Sequence, residues 1–397
     1  MLQSVATTLT SEPGPAVLTP AAEAVDYSRL ADTPLARDRV GALQTVVVGA
    51  GALGNEVAKA LGLLGVGQVL VVDPDLVEPS NLTRSVLFRT PGAVGRNKSD
   101  ALTEASSGLF PDTRWRSLAA EFADVGFQEL AAADLIFGCV DNDMARLEMA
   151  YAASKLERPV CDGGLGGAAA SRGRVSWFPG YGGACASCRL RGQTRRELLT
   201  QWEAPRHPCW GDAESEQTGF LPSTPTMAAI VGSMQVEIGL KRILAGREES
   251  AESLSIDIDL AGPMRLETIA VQRSQSCPFH GDAEGVLLPA SAGATFREIL
   301  DSVSNASPDE RAVMVLDWPV CTDADCTDCG HHWQPLRRAS AFRRSGLCPR
   351  CGSRYVEDRS TIRRIDVDSP WVDRTPAEMG LPASHLHTVV LERRDAA

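Results

Sequence analysis

A glycine-rich turn early in the chain has the spacing of a phosphate-binding loop. Gly49, Gly51 and Gly54 form a G-x-G-x-x-G pattern between an apolar run at 46–48 and a segment with helical periodicity. Glycine lets the backbone approach phosphates closely, and the following helix start offers free N–H groups and a positive dipole end. Asp73 ends the next apolar run, about 20 residues past the turn, where a dinucleotide fold places its ribose acid. The stretch predicts a bound nucleotide, against the alternative of a glycine turn without a ligand.

Two sets of cysteine and histidine residues have the spacing of metal ligands. The first set is Cys185, Cys188, Cys277 and His280, and the second is Cys326, Cys329, Cys348 and Cys351. Structural zinc takes four such ligands in a tetrahedron, so two distant pairs that meet in the fold can hold one ion. In the second set, 18 residues separate the pairs and a glycine follows each pair, as in a zinc ribbon. We expect one zinc ion in each set, against the alternative of reduced thiol pairs.

Other residues near the second set leave alternatives open. Cys321, His331 and His332 are additional donors that are able to replace one of the four ligands. The loop between the two pairs is strongly basic, with Arg337, Arg338, Arg343, Arg344 and Arg350. This charge is compatible with docking of an acidic partner or RNA, although such a run is more often a solvated surface.

The elements that must position these residues are predicted from hydrophobic periodicity. Helices are expected at 97–106, 127–132, 144–156 and 226–244, and strands at 115–118, 135–140, 159–163, 173–178, 254–260 and 264–271. Parallel strands joined by helices come first and antiparallel strands follow, which predicts an α/β fold with a Rossmann-like, mostly parallel mixed sheet. Residues 192–222 contain several prolines and glycines and many charges, so we expect an irregular segment there.

The chain divides into three parts on composition. Residues 1–24 lack periodicity and are expected to form a flexible lead. The α/β pattern then occupies residues 25–287. It breaks near residue 287, and residues 290–397, which contain the second cysteine set, are expected to form a small zinc-ribbon domain.

Composition excludes several classes of protein. The 397 residues are 44% hydrophobic, which is enough for a packed core, and the formal net charge of −12 argues against general nucleic-acid binding. The sequence contains neither an apolar run of about 18 residues nor a signal-peptide pattern, so we expect no membrane association. Eleven cysteines in such a chain favour metal sites over disulfides and a cytoplasmic location. Arginine far outnumbers lysine, which favours a GC-rich bacterial source.

The segment after Asp73 points to one family. The sequence from Asp73 to Arg84, DPDLVEPSNLTR, resembles the D-x-D-x-V-x-x-S-N-L-x-R-Q signature of the ThiF/MoeB/HesA superfamily, the adenylating enzymes that activate ubiquitin-like proteins. The resemblance continues at residues 95–98 and 139–146, and covers about residues 26–285. One departure is Ser85, where the family usually has glutamine. In this family the fold binds ATP and not NAD.

The resemblance assigns roles to the residues around the glycine turn. Asp73 would bind the ribose, while Asp75 either joins it or caps the turn, and Asn81 makes a phosphate or a structural contact. Arg84 and Lys98 would stabilise the charge that develops on phosphorus during adenylation.

Further roles follow from the second motif. Asp141 resembles the family's magnesium-binding aspartate, since a hard cation prefers carboxylate, phosphate and water oxygens. Asn142, the next residue, is expected at the nucleotide as well. Residues 27–29, Tyr-Ser-Arg, resemble a Y-S-R-Q segment whose arginine reaches ATP phosphates in the neighbouring subunit. Arg29 is therefore either such a residue, in a homodimer, or an ordinary surface residue on a short helix.

Three cysteines remain outside the metal sets and Cys321. Cys139 and Cys161 lie in apolar strands and are expected to be inert core residues. Cys209 lies in the segment 192–222, where thioester-forming relatives carry their nucleophile. His207 or Arg206 would lower its pKa. The alternative for Cys209 is an unpaired loop thiol.

The resemblance implies ATP-dependent adenylation of the C-terminal glycine of a ubiquitin-like protein. Thioester formation on Cys209 and transfer to a conjugating enzyme would follow, with ATP, magnesium and zinc as cofactors. The appended ribbon favours a bacterial ubiquitin-like conjugation pathway. The alternatives are a sulfur-carrier adenylyltransferase of the thiamin or molybdopterin type, and a non-catalytic scaffold that partners an active paralogue. An NAD oxidoreductase is disfavoured because the S-N-L-x-R segment has no role there.

Overall fold

A computed structural model describes residues 24–166, 170–190, 192–203, 223–280, 285–289, 291, 293–303, 310–382 and 384–393. Two β-sheets form the centre of the molecule, and helices cover the first of them. Within the described residues the helices are α1 (Arg37–Val40), α2 (Ala52–Leu64), α3 (Lys98–Leu109), α4 (Phe127–Ala131), α5 (Asp143–Leu156), α6 (Ala186–Arg189), α7 (Gly192–Glu203), α8 (Pro225–Ala245), α9 (Phe296–Asp301) and α10 (Ala339–Ser345). None of these helices combines the length and the apolar character that a membrane crossing requires.

The first sheet has eight strands among the described residues, in the order β3-β2-β1-β4-β5-β6-β7-β8. They are β1 (Gln44–Val48), β2 (Gln68–Val72), β3 (Arg114–Leu118), β4 (Leu135–Gly138), β5 (Val160–Gly166), β6 (Arg172–Phe178), β7 (Leu254–Asp259) and β8 (Arg265–Ala270). Neighbours from β3 to β5 pair parallel, and β5 to β8 pair antiparallel. The mixed, mostly parallel sheet that the sequence predicts is confirmed.

Alternating side chains of the central strand β1 contact helices on both faces of this sheet. Val47 packs in one core with α2, α3 and α8, whereas its neighbours Val46 and Val48 pack in another core with α4 and α5. Successive side chains of a strand point to opposite faces, so a run of buried valines serves both layers. A strand buried on both sides reads as continuously apolar, which is why this part of the fold was predictable.

The second sheet contains six strands in the described part of the chain. They are β9 (Val286–Pro289), β10 (Glu310–Cys326), β11 (His332–Trp333), β12 (Arg337–Arg338), β13 (Val356–Ile365) and β14 (Leu386–Arg393). The long strand β10 pairs with β11, β12, β13 and β14, and β9 pairs with β14. Phe296, Leu300 and Met314 are central to a separate core beneath this sheet.

One segment differs from its predicted conformation. Residues 192–203 form α7, whereas the sequence predicts irregular structure from 192 to 222; residues 204–222 lie outside the described residues. Gln193 donates to Glu197 Oε1 at 2.9 Å, an i,i+4 bond on the helix surface, and Leu198 and Leu199 pack on the core beside α5. The helix was not predicted because the segment is highly charged and buries only one apolar edge.

The two sheets are joined through a buried acid. Asp317 of β10 accepts hydrogen bonds from Tyr151 Oη and Lys155 Nζ of α5, and His385 Nε2 lies 2.8 Å from its Oδ2. The adjacent Trp318 packs into the core beneath α4 and α5. The second sheet is therefore packed against the first domain through a polar cluster inside an apolar surround.

The basic loop of the ribbon makes contacts within the chain. Buried Arg338 donates from Nε to Asp124 Oδ1 at 2.8 Å, and Arg344 pairs with Glu121. Both acids precede α4 in the first domain. These two arginines, which the sequence left open to an acidic partner, RNA or solvent, contact acidic residues of their own protein.

Candidate active site and metal centres

The glycine turn connects β1 to α2, and each of its glycines has a different surrounding. Gly49 has a φ of +95°, and a Cβ there would lie 2.6 Å from the Cys139 carbonyl oxygen. A Cβ on Gly54 would lie 1.9 Å from the Gly49 carbonyl oxygen. Among the residues that the structure describes, a Cβ on Gly51 would meet nothing within 4 Å. Two glycines thus allow close backbone packing, and the third faces open space from which a phosphate can approach the backbone.

Asn55 holds the turn in place and was missed in the sequence. It is fully buried in the first turn of α2 and donates from Nδ2 to the carbonyl oxygen of Ala50 at 2.9 Å. Its Oδ1 accepts from the Leu87 backbone N–H at 3.0 Å. One amide therefore joins the glycine turn to the loop after Arg84. The available signal was a polar residue on an otherwise apolar helix face.

Asp73 lies at the end of β2, directly beside the turn. Its Oδ2 accepts from Ala50 N at 2.6 Å and its Oδ1 accepts from Asp75 N at 2.9 Å. Burial raises the pKa of this carboxyl, while the two backbone N–H groups act to lower it. The predicted ribose acid is thus held at the carboxyl edge of β1 and β2.

Lys98 begins α3 at the same edge of the sheet. Its Nζ lies 2.8 Å from Asp75 Oδ2, in a pair that joins a largely buried lysine to an exposed aspartate. Asn97 caps α3 by accepting from Ser99 N at 2.8 Å, and it donates to the Asp73 carbonyl oxygen at 2.9 Å. The helix that carries Lys98 is therefore attached directly to the Asp73 segment, and the Asp75 side chain pairs with Lys98.

The S-N-L-x-R segment forms a short 3₁₀ helix, Pro79–Thr83. Buried Asn81 accepts from the Glu78 backbone N–H at 2.9 Å, which is a structural contact. Arg84 follows at the end of this helix and is half-buried, with its own N–H bonded to the Asn81 carbonyl oxygen at 3.1 Å. The helix thus fixes the backbone from which Arg84 extends.

A buried ion pair positions the segment that contains Asp141. Asp141 and Asn142 follow β4 and are both exposed, and Asn142 caps α5 by accepting from Ala145 N at 2.8 Å. Arg146 of α5 donates to the Val140 carbonyl oxygen at 2.6 Å, and its Nε lies 3.2 Å from Asp162 Oδ2. Asp162 was missed in the sequence, although an aspartate inside the apolar strand VCD was a signal.

These residues meet where the strand order changes direction. The chain leaves β1 toward β2 and β3 on one side, and returns to β4 and β5 on the other. In open α/β sheets, ligands bind at the carboxyl ends of strands at such a switch point. The glycine turn, Lys98, Arg84 and the exposed Asp141 carboxylate all follow strands at this edge. The arrangement can hold a polyphosphate together with a divalent cation.

Arg29 lies far from this edge in its own chain. It is exposed on the 3₁₀ helix Ser28–Leu30, and the preceding Tyr27 donates to Asp112 Oδ2 at 3.0 Å. Tyr27 also lies against Gly65, which follows the last residue of α2. Because α2 has 13 residues, its two ends are about 20 Å apart. An arginine side chain cannot span that distance to the glycine turn of the same chain.

Both predicted metal sets are brought together. In the first set, Sγ of Cys188 lies 3.0 Å from Nε2 of His280, and Sγ of Cys185 lies 3.7 Å from Sγ of Cys277. In the second set, the Cys326–Cys351 and Cys329–Cys348 sulfur distances are 3.6 and 3.7 Å. The four donor atoms of each set lie within 4.8 Å of one another. Both donor sets fit tetrahedral zinc.

The additional donors near the ribbon are engaged elsewhere. Cys321 lies 3.5 Å from the Asp323 carbonyl oxygen, and His332 Nδ1 lies 2.8 Å from Asp325 Oδ1. The imidazole of His331 stacks on Trp333, with ring centroids 5.8 Å apart. The second set therefore needs no replacement ligand.

Of the three remaining cysteines, the structure describes Cys139 and Cys161. Cys139 and Cys161 are buried in the strands, and burial together with the nearby Asp162 charge raises the pKa of each thiol well above its usual range. Their expected chemical inertness agrees with this environment. Cys209, with Arg206 and His207, lies outside the described residues.

A model of the ThiF family matches residues 27–279. The chain belongs to the ThiF family. The match ends at Phe279, which places the predicted metal ligands Cys185, Cys188 and Cys277 inside the family region and leaves the second sheet outside it.

Relatives include enzymes of two kinds. The Thermus thermophilus sulfur carrier protein adenylyltransferase is 30% identical over 259 residues, covering 63% of this chain and 86% of that enzyme. The Escherichia coli (strain K12) sulfur carrier protein ThiS adenylyltransferase is 25% identical over 242 residues, covering 60% and 86%. The ubiquitin-like modifier-activating enzyme 5 of Oryza sativa subsp. japonica is 30% identical over 165 residues, which span only 38% of each protein. Among solved structures, Escherichia coli MccB with MccA-N7isoASN has a TM-score of 0.49 and 18% identity over 62% of this chain and 70% of MccB.

Metal analysis tests the two ligand sets. We expect about two zinc ions per chain, one for each four-ligand set. Cys188→Ser and Cys351→Ser should each lower the content by one ion, as measured by elemental analysis. Cys321→Ser serves as the matched control and should retain both ions, because its buried thiol lies outside the second set. A Cys188→Ser protein that still holds two ions would contradict the first set.

Proposed function

We propose that this protein is an ATP-dependent adenylyltransferase that activates the C-terminal glycine of a ubiquitin-like carrier protein. The observation that carries the proposal is the exposed Asp141 carboxylate at the β1–β4 switch point, at the same edge as the glycine turn, Lys98 and Arg84. A dinucleotide oxidoreductase has no use for two cations and an acid at the phosphate end of its site. A phosphoryl-type transfer needs all of them.

The reaction assigns a role to each of these residues. One oxygen of the carrier's terminal carboxylate attacks the α-phosphorus of ATP, a C–O–P bond forms, and the bond to the β-phosphate breaks to release pyrophosphate. Backbone N–H groups of the glycine turn and the start of α2 hold the phosphates. Lys98 and Arg84 stabilise charge on the phosphate oxygens as it develops. Magnesium held by Asp141 would neutralise phosphate charge at the same point.

The ion pair of Lys98 fits this role. Its Nζ is held by Asp75, whose side chain is 65% exposed, while the lysine side chain is 15% exposed. An exposed partner loses much of its attraction to solvent screening. The phosphates of a nucleotide, with several negative charges, would therefore replace Asp75 as the partner of Lys98 at little cost.

Asp141 provides the central test. Asp141→Ala should reduce carrier-dependent ATP–pyrophosphate exchange by about 100-fold or more, because the site loses its metal-binding carboxylate. The thermal unfolding midpoint should stay at the wild-type value, since Asp141 is exposed. Asp301→Ala, an exposed aspartate on α9 in the other domain, is the control and should exchange normally. Wild-type exchange in the Asp141 variant would remove this residue from the mechanism.

Arg29 extends the proposal to a homodimer in which each site receives Arg29 from the neighbouring subunit. The roughly 20 Å between the ends of α2 supports this, because Arg29 cannot serve its own site. We expect Arg29→Ala and Lys98→Ala each to be inactive alone. Mixed after subunit exchange, they should recover about a quarter of wild-type exchange activity, because half of the dimers are mixed and each mixed dimer contains one intact site. Absence of recovery, with exchange of subunits demonstrated by a tag, would argue against a trans arginine.

We further propose that Cys209 takes the acyl group as a thioester and passes it to a conjugating enzyme. Adenylation requires no thiol, whereas the transfer requires a thiolate that reaches the acyl carbon. Cys209→Ala should therefore keep ATP–pyrophosphate exchange and lose the reductant-sensitive adduct with the carrier on a non-reducing gel. Cys161→Ala is the control and should keep both. An adduct that persists without Cys209 would place the nucleophile elsewhere.

A second candidate function is sulfur-carrier activation, which ends in a thiocarboxylate. Its support is the extent of the match, since both sulfur carrier adenylyltransferases align over 86% of their length and the plant activating enzyme over 38%. The two functions share the adenylation step and differ in the product. If the wild-type protein forms no adduct and the carrier acquires a thiocarboxylate, measured by mass spectrometry, this second function is correct. A non-catalytic scaffold is disfavoured by the presence of Arg84, Lys98 and Asp141.

A further inference from the structure

Three arginines gather at the carboxyl end of β5. They are Arg146 on α5, Arg174 on β6 and Arg189 at the end of α6; all three act electrostatically on Asp162, and we call them the arginine cluster. A Cβ on Gly164 would lie 3.3 Å from Nη2 of Arg174 and 3.6 Å from Nη2 of Arg146. The two guanidinium groups therefore flank the same glycine on the face of the sheet that α5 covers.

The three arginines of the cluster differ in whether an acidic residue pairs with them. Arg146 is paired with buried Asp162 at 3.2 Å and with Asp143 at 3.3 Å. Neither Arg174 nor Arg189 forms an ion pair within the described residues. Asp257 stands opposite Arg174 in the β6–β7 register, but its side chain is exposed. The cluster thus places three arginine charges around one buried carboxylate, Asp162, which is ion-paired with Arg146 and acts on Arg174 and Arg189 without contacting them in an ion pair.

Arg174 is the member of the arginine cluster that has an unsatisfied buried hydrogen-bond donor. Its Nε is buried and has no hydrogen-bond partner in the part of the chain that the structure describes. A buried donor without a partner costs free energy that a bound acceptor would restore. Burial and the neighbouring positive charge of Arg189 also lower the pKa of Arg174, which is the direction expected where an anion would be stabilising.

The arginine cluster is connected to the candidate active site through Arg146. The Arg146 guanidinium that lies beside Arg174 also donates to the Val140 carbonyl oxygen, one residue before Asp141. Along β5, Gly164 and Gly166 share a face, and among the described residues, which do not include 167–169, a Cβ on Gly166 would meet nothing within 4 Å. An extended peptide can approach the arginines here without meeting a side chain of β5.

We propose that Arg174 and Arg189 bind the free C-terminal carboxylate of the carrier before it is adenylated. This inference rests on the proposed function and names the substrate group that the cluster recognises. A guanidinium binds a carboxylate through two parallel N–H bonds, which leaves one lone pair of an oxygen free to attack phosphorus. When the C–O–P bond forms and pyrophosphate leaves with the electron pair, the carboxyl group loses its negative charge. The arginines then lose their partner, and the activated tail is released toward the acyl acceptor.

Peptide binding tests this without requiring the chemistry to work. The probe is a synthetic ten-residue peptide that ends in Gly-Gly, made with a free carboxylate and with a C-terminal amide, and titrated calorimetrically with a non-hydrolysable ATP analogue present. Wild-type protein should bind the free acid about 10-fold more tightly than the amide. Arg174→Ala, which keeps only Arg189, should lose most of this difference, and Arg174→Lys should retain a larger part of it. Arg172→Ala is the matched control, because Arg172 lies on the same strand, is exposed and pairs with Asp259 at 3.0 Å.

The outcomes separate this inference from the proposed function. Discrimination in Arg174→Ala equal to wild type would overturn it. Equal binding of both peptides by the wild type, with inorganic pyrophosphate bound in an Arg174-dependent manner, would also overturn it and assign the cluster to the leaving group. If Arg174 governs peptide discrimination but wild-type protein catalyses no exchange with any carrier, the proposed function fails while the carboxylate site stands. With an active carrier, Arg174→Ala should raise the carrier KM about 10-fold and leave the ATP KM unchanged.

Discussion

The buried pair of Arg146 and Asp162 is the interaction on which the candidate active site depends. Asp162 is 1% exposed in the middle of the sheet, and an unpaired carboxylate there would be strongly destabilising. Removing one partner of such a pair costs about 3–5 kcal/mol, because the other charge is left buried. The same guanidinium donates to the carbonyl oxygens of Val140 and Gly163. One side chain thus joins α5 to the ends of β4 and β5, and so fixes the backbone that presents Asp141.

Helix α5 transmits this constraint to the rest of the molecule. Ala150 in its middle packs against the first metal set, and the Tyr151 ring contacts Phe279 with centroids 5.4 Å apart. Tyr151 and Lys155 then bind Asp317 of the second sheet. The candidate active site, the first metal set and the second sheet therefore all use one helix as a common support. The second sheet supports this helix through buried groups.

The features that the sequence predicted well are those whose signals lie within a few neighbouring residues. The glycine turn, Asp73 and the Cys-x-x-Cys pairs each have their chemistry within a few residues, and hydrophobic periodicity marks the strands around them. The features it missed depend on distant partners. Asn55 binds Leu87, 32 residues away, and Arg338 binds Asp124, 214 residues away. A polar residue among apolar neighbours marks Asn55 and Asp162 locally, but that signal does not identify the distant partner. No local pattern distinguishes Arg338 from a solvated arginine, which is why the basic loop was left open. Helix α7 was missed for a related reason, because its apolar edge is narrow and is buried only by tertiary packing.

The distribution of thiols constrains where a second half-reaction can occur. A nucleophilic thiol must ionise near neutral pH and must be free of other bonds. Of the eleven cysteines, seven have their sulfurs grouped in the two metal sets. Cys139 and Cys161 are buried with strongly raised pKa values, and burial raises the pKa of Cys321 to about 12. Each of the ten described thiols is therefore either a metal ligand by geometry or a poor nucleophile by environment. By elimination, a thioester formed on this chain would have to be carried by Cys209, which is the residue proposed above for that role.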